Sequence, residues 1–144
     1  MYIQAQRHII VAGKIHAIGG RAGATWLRLD LHEVYDPKTD RWSNALPLPT
    51  PRSGVASALL KGKILVVGGE LTISTGGSSS QPYYCFAENE AYDAATDTWM
   101  TLHPLPGGRH GFGGAVVGET AYFAGGSLQP GIRSVTDEML AFEL

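Results

Sequence analysis

Short apolar runs, each closed by a pair of glycines, set the rhythm of this chain. The fullest example is Val55-Ala56-Ser57-Ala58-Leu59-Leu60, a turn at Lys61-Gly62-Lys63, and then Ile64-Leu65-Val66-Val67-Gly68-Gly69. Each run is strand length, too short for a helix, and bounded by turn residues. Apolar positions are nearly continuous in these runs, not alternating, so both faces of the strands are expected to be buried. The closing pair recurs in Ile15-His16-Ala17-Ile18-Gly19-Gly20 and in Ala121-Tyr122-Phe123-Ala124-Gly125-Gly126. No segment shows the i, i+3, i+4 pattern of an amphipathic helix.

The spacing makes this a repeat. The glycine pairs are separated by 68 − 19 = 49 and 125 − 68 = 57 residues. Tyr35 to Tyr92, Trp42 to Trp99 and Arg52 to Arg109 are each 57 apart. The second unit carries about eight extra residues after its glycine pair, within Glu70 to Pro82, whose Gly/Ser-rich middle reads as a loop insertion. The underlying period is about 50. Each unit parses into four strands: a before the first turn, b ending at Gly-Gly, c centred on the tyrosine, and d starting at the tryptophan. Asp36-Pro37-Lys38-Thr39-Asp40 supplies the turn between c and d. The approximate units are 1–50, 51–107 and 108–144. Four-stranded units with apolar faces on both sides fit sheets stacked radially. The recurring tryptophans, Trp42 included, are expected to be buried against their own or an adjacent sheet.

The run Glu33-Val34-Tyr35-Asp36-Pro37, Asp40-Arg41-Trp42, Leu46-Pro47-Leu48-Pro49 and Pro51-Arg52, following a Gly-Gly strand, resembles the kelch repeat. The resemblance covers essentially the whole chain. It implies an all-β fold of kelch-type β-propeller blades, with strand a innermost and lining a central channel. Two departures stand out. Aligned on the glycine pairs, Ile3 takes the place of Arg52, so the first unit enters within strand a. The third unit stops two residues past Phe142, with no tryptophan and no strand d. Three units, the third incomplete, correspond to a half-propeller or a propeller fragment. The implied partner is a second copy of the chain, giving a six-bladed homodimer, or the missing blades of a longer chain.

Composition narrows the function. The 144 residues include 44% hydrophobic residues and 19 glycines, a globular balance rich in turns. Eleven basic against 13 acidic residues give a net charge of −2, which offers no field for nucleic acid. No apolar run is long enough to cross a membrane as a helix. The first eight residues lack the order of a signal peptide, so the default expectation is a cytoplasmic protein. The single cysteine excludes an internal disulfide and a cysteine-cluster metal site. His8, His16, His32 and His103 show no metal-ligand spacing, and no metal or other cofactor is expected.

Topology places the candidate site. In an antiparallel meander the b–c and d–a connections emerge at one end, which gathers Arg21, Glu70 and Ser127 with Arg52, Arg109 and His110. The insertion after Glu70 falls at that same end. Arg52 and Arg109 recur with the repeat, which fits a role in binding neighbouring loop carbonyls. A guanidinium at a channel mouth also suits a carboxylate held through two hydrogen bonds. His110 stands where the preceding unit has Ser53, a break in the repeat that marks it out. Some galactose-oxidase-like proteins share the kelch propeller and use copper with a tyrosine joined to a cysteine. The adjacent residues of Tyr83-Tyr84-Cys85-Phe86 do not reproduce that arrangement, and Cys85 reads as a small apolar residue entering strand c.

The expected function is a binding module that recognises a protein or a small acidic ligand through Arg52, Arg109, His110, Arg21 and Glu70. The alternative is a sugar-acting enzyme resembling a sialic-acid epimerase or mutarotase of the kelch family. That reading needs a general base, and Glu70 is the one carboxylate on the right face.

Overall fold

The computed structural model describes residues 3–4, 6–22, 27–71, 84–131 and 133–144. Among them the chain forms strands and no helix. In order these are β1 (Ile3–Gln4), β2 (Arg7–Val11), β3 (Lys14–Ile18), β4 (Arg21–Ala22), β5 (Leu27–Arg28), β6 (His32–Asp36), β7 (Arg41–Asn44), β8 (Ala56–Leu60), β9 (Lys63–Val67), β10 (Glu70–Leu71), β11 (Tyr84–Cys85), β12 (Asn89–Asp93), β13 (Thr98–Thr101), β14 (Gly113–Val117), β15 (Thr120–Ala124) and β16 (Met139–Phe142). Eleven of them form three main antiparallel sheets, ordered β2-β3-β6-β7, β8-β9-β12-β13 and β14-β15-β16, and the other five form two small ones, β1-β4-β5 and β10-β11. The third sheet has three strands, so the repeat is realised as two full blades and one shorter blade. The middle inner strand β8 packs against both β2 and β14, which puts strand a of every unit on the inside.

Each unit begins with a short side ribbon. Gln4 pairs with Arg21, Ser53 with Glu70 and His110 with Ser127. These pairs keep the 49 and 57 spacings of the glycine pairs. The first unit therefore has a complete strand a in β2 and a paired lead-in, more than its alignment with Arg52 implies. Of the loop insertion within Glu70 to Pro82, Glu70 and Leu71 form β10 and residues 72–82 lie outside the described residues.

Two apolar layers join the sheets. Between the first and second, Ile18 and Leu48 meet Val55, Ile64, Val66 and Tyr92. Between the second and third, Leu65, Val67 and Ala91 meet Phe112, Ala121 and Phe123. The glycine pairs permit this approach. At Gly68, with φ +62°, a Cβ would lie 2.5 Å from the Arg109 carbonyl oxygen and 2.8 Å from the Phe112 ring, so no side chain fits. Backbone hydrogen bonds cross the same joints, from Gly20 N–H to Arg52 O at 3.1 Å and from Gly69 N–H to Arg109 O at 2.8 Å.

Burial on both faces holds for β9, the central strand of the enclosed middle sheet. It fails on the outer sheets, where β14 is largely exposed and Ile10 of β2 is 65% exposed. The reason is positional, because an outer sheet has only one neighbour within the chain. Trp42 shows the same effect and corrects the expectation of burial. In the second unit Tyr92 and Trp99 pack back onto the first unit, where Trp99 lies 5.8 Å from the His32 ring and donates to Leu46 O at 2.9 Å. Trp42 presents the matching face of the first unit, stacks on Tyr35 at 5.2 Å and remains 57% exposed. Trp99→Ala should therefore cost about 2 kcal/mol of stability, while Trp42→Ala should change it by less than about 0.5 kcal/mol. Urea denaturation of the two variants measures the difference.

Candidate binding site at the channel mouth

The sequence-predicted residues divide into two groups. Arg52 is completely buried. Its Nε donates to Gly68 O at 2.7 Å, Nη1 to Thr50 O at 2.9 Å and to Glu90 Oε2 at 2.5 Å, and Nη2 to Val66 O at 2.8 Å. Thr50 Oγ1 donates to the other Glu90 oxygen at 2.8 Å. Arg109 repeats part of this scheme. It donates to Gly125 O at 3.4 Å and to Glu138 Oε2 at 2.5 Å, although Glu138 is 61% exposed. The two arginines thus lie beneath the mouth, turned toward strand ends of their own units.

Arg21, Glu70 and His110 come together at the mouth itself, one from each unit. Arg21 Nη1 lies 3.2 Å from Glu70 Oε1, and His110 Nδ1 lies 3.4 Å from Glu70 Oε2. Gly131 N–H donates to the same Oε2 at 3.3 Å. The far nitrogen of His110, Nε2, donates toward the carbonyls of Gln129 and Gly131, at 3.0 and 2.7 Å. The side ribbons produce this convergence, because each places the residue after a glycine pair beside the residue after an arginine position. A cavity of about 250 Å³ opens beside it, lined by His110, Gly111, Ser127, Gly131, Val135 and Thr136. Glu70 thereby acts as a shared anion between two cationic or polar groups.

Cys85 is half-buried, and its thiol points to Ser127 O at 3.7 Å. Burial, with the Glu70 charge second, pushes its pKa up to about 11, so it is a poor nucleophile at neutral pH. Tyr84 packs on Phe86, and Tyr83 lies outside the described residues. Among the described residues no group of three His, Cys, Asp or Glu side chains is placed to hold a metal ion.

Sequence reasoning missed two features. His16 and His32 are buried and hydrogen-bonded to each other, Nδ1 to Nε2, at 2.8 Å in the joint between the first two sheets. Burial holds the pKa of both below the ordinary histidine value, that of His32 at about 4. The signal was present in the repeat, since the matching positions of the second unit are Leu65 and Asn89. The other missed residue is Arg7, whose matching positions are Ala56 and Gly113. It reaches out of the first unit to donate to the carbonyls of Val55 and Phe112 in the other two.

Comparison with known proteins follows the repeat. A family model described as "Kelch motif" matches residues 8–49. Kelch-like protein 34 of Homo sapiens is 37% identical over 138 residues, which are 92% of this chain and 19% of that protein. Kelch-like protein terF of Aspergillus terreus is 35% identical over 81% of this chain and 24% of its own length. Beta-scruin of Limulus polyphemus is 31% identical over 85% of this chain and 13% of its own. The chain thus spans about a fifth of the length of the first two relatives. A solved structure titled "Structure of YjhT" superposes with a TM-score of 0.70 at 23% identity, covering 90% of this chain and 36% of that one, a likeness of fold.

Proposed function

This chain belongs to the kelch-repeat family and folds as consecutive propeller blades, and from that premise we propose that it is a binding module whose ligand face is the channel mouth. The observation that carries the reading is the Arg21–Glu70–His110 network, to which three separate units each contribute one side chain. A surface assembled from three repeats is specific to their arrangement, whereas each repeat alone would present an isolated polar residue. The ligand is a protein surface or a small molecule bearing an acidic group that approaches Arg21 and His110. Glu70 keeps both side chains in place. Arg52 and Arg109 support the strands that carry the mouth.

An acidic peptide and sialic acid serve as probes in isothermal titration calorimetry. Arg21→Ala is expected to weaken binding about tenfold, a loss of about 1.4 kcal/mol, measured at a temperature where the variant is still folded. Binding that is indifferent to Arg21→Ala and His110→Ala, or no binding of any acidic probe, overturns this reading.

The two flanks support self-association in the same framework. Inside the chain, the Tyr92–Trp99 face of one unit meets the outer face of the unit before it, with Asp97 Oδ1 accepting Leu46 N–H at 2.8 Å. The Tyr35–Trp42 face and the outer face of the third sheet, where Val117 and Met139 are exposed, are the corresponding two surfaces left at the ends. A second copy of the chain joins them head to tail, and further kelch units of a longer chain would occupy the same surfaces. Light scattering is expected to show a dimer that Trp42→Asp dissociates. A monomer at every concentration removes the copy-to-copy form.

A further inference from the structure

We propose that the inner channel, one layer below the mouth, holds a carboxylate-binding site built on Arg7. The inner strands are in register there. His8, Ser57 and Gly114 occupy the same position in the three units, and they face a cavity of about 270 Å³ that Arg7, Phe112 and Gly113 complete. The residues matching Arg7 are Ala56 and Gly113, so the other two units leave room for its side chain. Gly114 brings the third unit close, since a Cβ there would lie 2.8 Å from Ser57 O.

Arg7 is positioned before any ligand arrives. Its Nε donates to Val55 O, and its Nη2 donates to Phe112 O at 3.1 Å. Two neutral carbonyls orient a guanidinium without cancelling its charge. No carboxylate pairs with Arg7 among the described residues, whereas Arg21, Arg52 and Arg109 each have one. A half-buried cation fixed in a concave site, without a counter-ion, attracts an anion. The fork geometry of guanidinium suits a carboxylate in particular. Ser57 adds a hydroxyl at the rim, where its strand faces the first unit. The cavity lies just below the usual size range for drug-sized ligands, which suits a short acid or a single acidic side chain. The carboxylate can belong to a free small molecule or to a partner's Glu or Asp inserted from the mouth. This site uses none of the mouth residues, so its failure leaves the mouth reading intact, and the converse holds.

Succinate and a hexaglutamate peptide are the two probes, titrated at low salt into the isotope-labelled chain and followed by backbone amide NMR. Saturable shifts centred on Arg7, His8, Ser57 and Gly114 are expected. Tighter binding of succinate assigns a free acid, and tighter binding of the peptide assigns a partner's side chain. Arg7→Ala is expected to lower affinity at least about tenfold, but it also removes a tie between three units and can unfold them. Ser57→Glu carries the test on folded protein, because Ala56 and Ala58 pack toward the third unit, which turns position 57 toward the first, and the new carboxylate occupies Arg7. It is expected to abolish the shifts, while Arg41→Ala, on the exposed strand β7, leaves them unchanged. The proposal is overturned if neither probe produces saturable shifts, or if Ser57→Glu binds as the wild type does.

Discussion

Replacing Arg52 by alanine is expected to cost about 3–5 kcal/mol, enough to leave much of the protein unfolded at body temperature. The cost comes from what stays behind. Glu90 is only 4% exposed, and without the guanidinium its charge keeps a single hydroxyl partner, Thr50. The carbonyls of Val66 and Gly68 lose their side-chain donor at the same time. Arg109→Ala should cost less, about 1–2 kcal/mol, because exposed Glu138 is resolvated when its partner goes. Removing both charges together, as Arg52→Met with Glu90→Leu, should recover much of the loss, since a buried ion pair contributes little beyond satisfying itself. Chemical denaturation of the four proteins measures the series. Wild-type stability in Arg52→Ala would show that the guanidinium does not hold the blade.

Acidification is expected to loosen the joint between the first two blades well before the carboxylates titrate. His32 Nδ1 donates to Leu46 O at 3.2 Å, which makes its Nε2 the acceptor for His16 Nδ1–H, a neutral pair. Tyr92 packs edge-on at 4.4 Å, and Trp99, packed on Tyr92, lies 5.8 Å from the His32 ring. Asp97 is the carboxylate that acts on His32 from the second blade, and Lys14 opposes protonation of His16 from its own strand. With the folded pKa of His32 at about 4 and the unfolded value near 6.5, the unfolded chain takes up a proton that the folded chain refuses. Stability from this group is complete above pH 6.5 and declines as pH falls toward 4, by about 3 kcal/mol in all. The second unit supplies the control, because Asn89 at the place of His32 donates to His103 O at 3.2 Å, the counterpart of Leu46 O. Transplanting that pair as His16→Leu with His32→Asn should flatten the stability profile between pH 6.5 and 4. An unchanged slope would place the acid sensitivity elsewhere.

These two predictions rest on features of different legibility. The Gly-Gly strands, the tyrosine–tryptophan pairs and the arginines could be read directly, because a residue required by the unit recurs with the unit. The gathering of Arg21, Glu70 and His110 at one end also followed from the order of strands. The exposure of Trp42 did not, because its sequence context matches that of Trp99 and only the presence of a neighbouring sheet separates them. The partition of labour among the arginines was likewise hidden. Arg52 is consumed by Glu90, a residue 38 positions away, and no local pattern shows that pairing. Arg7, His16 and His32 are one-off substitutions in an otherwise regular repeat. Their signal lay in the differences between units, at positions where the other units carry small or apolar residues or an asparagine.

The reach of Arg7 also bears on the order in which the molecule assembles. Each sheet is a meander of neighbouring strands, so most of its contacts close short loops and can form early. The bond from Arg7 to Phe112 spans 105 residues and requires all three units to be in place. Its loop-closure entropy is recovered only at the end, after both joints between sheets have formed. Arg7 is thus expected to close late, after the blades have formed. Its loss should quicken unfolding while leaving the rate of folding nearly untouched.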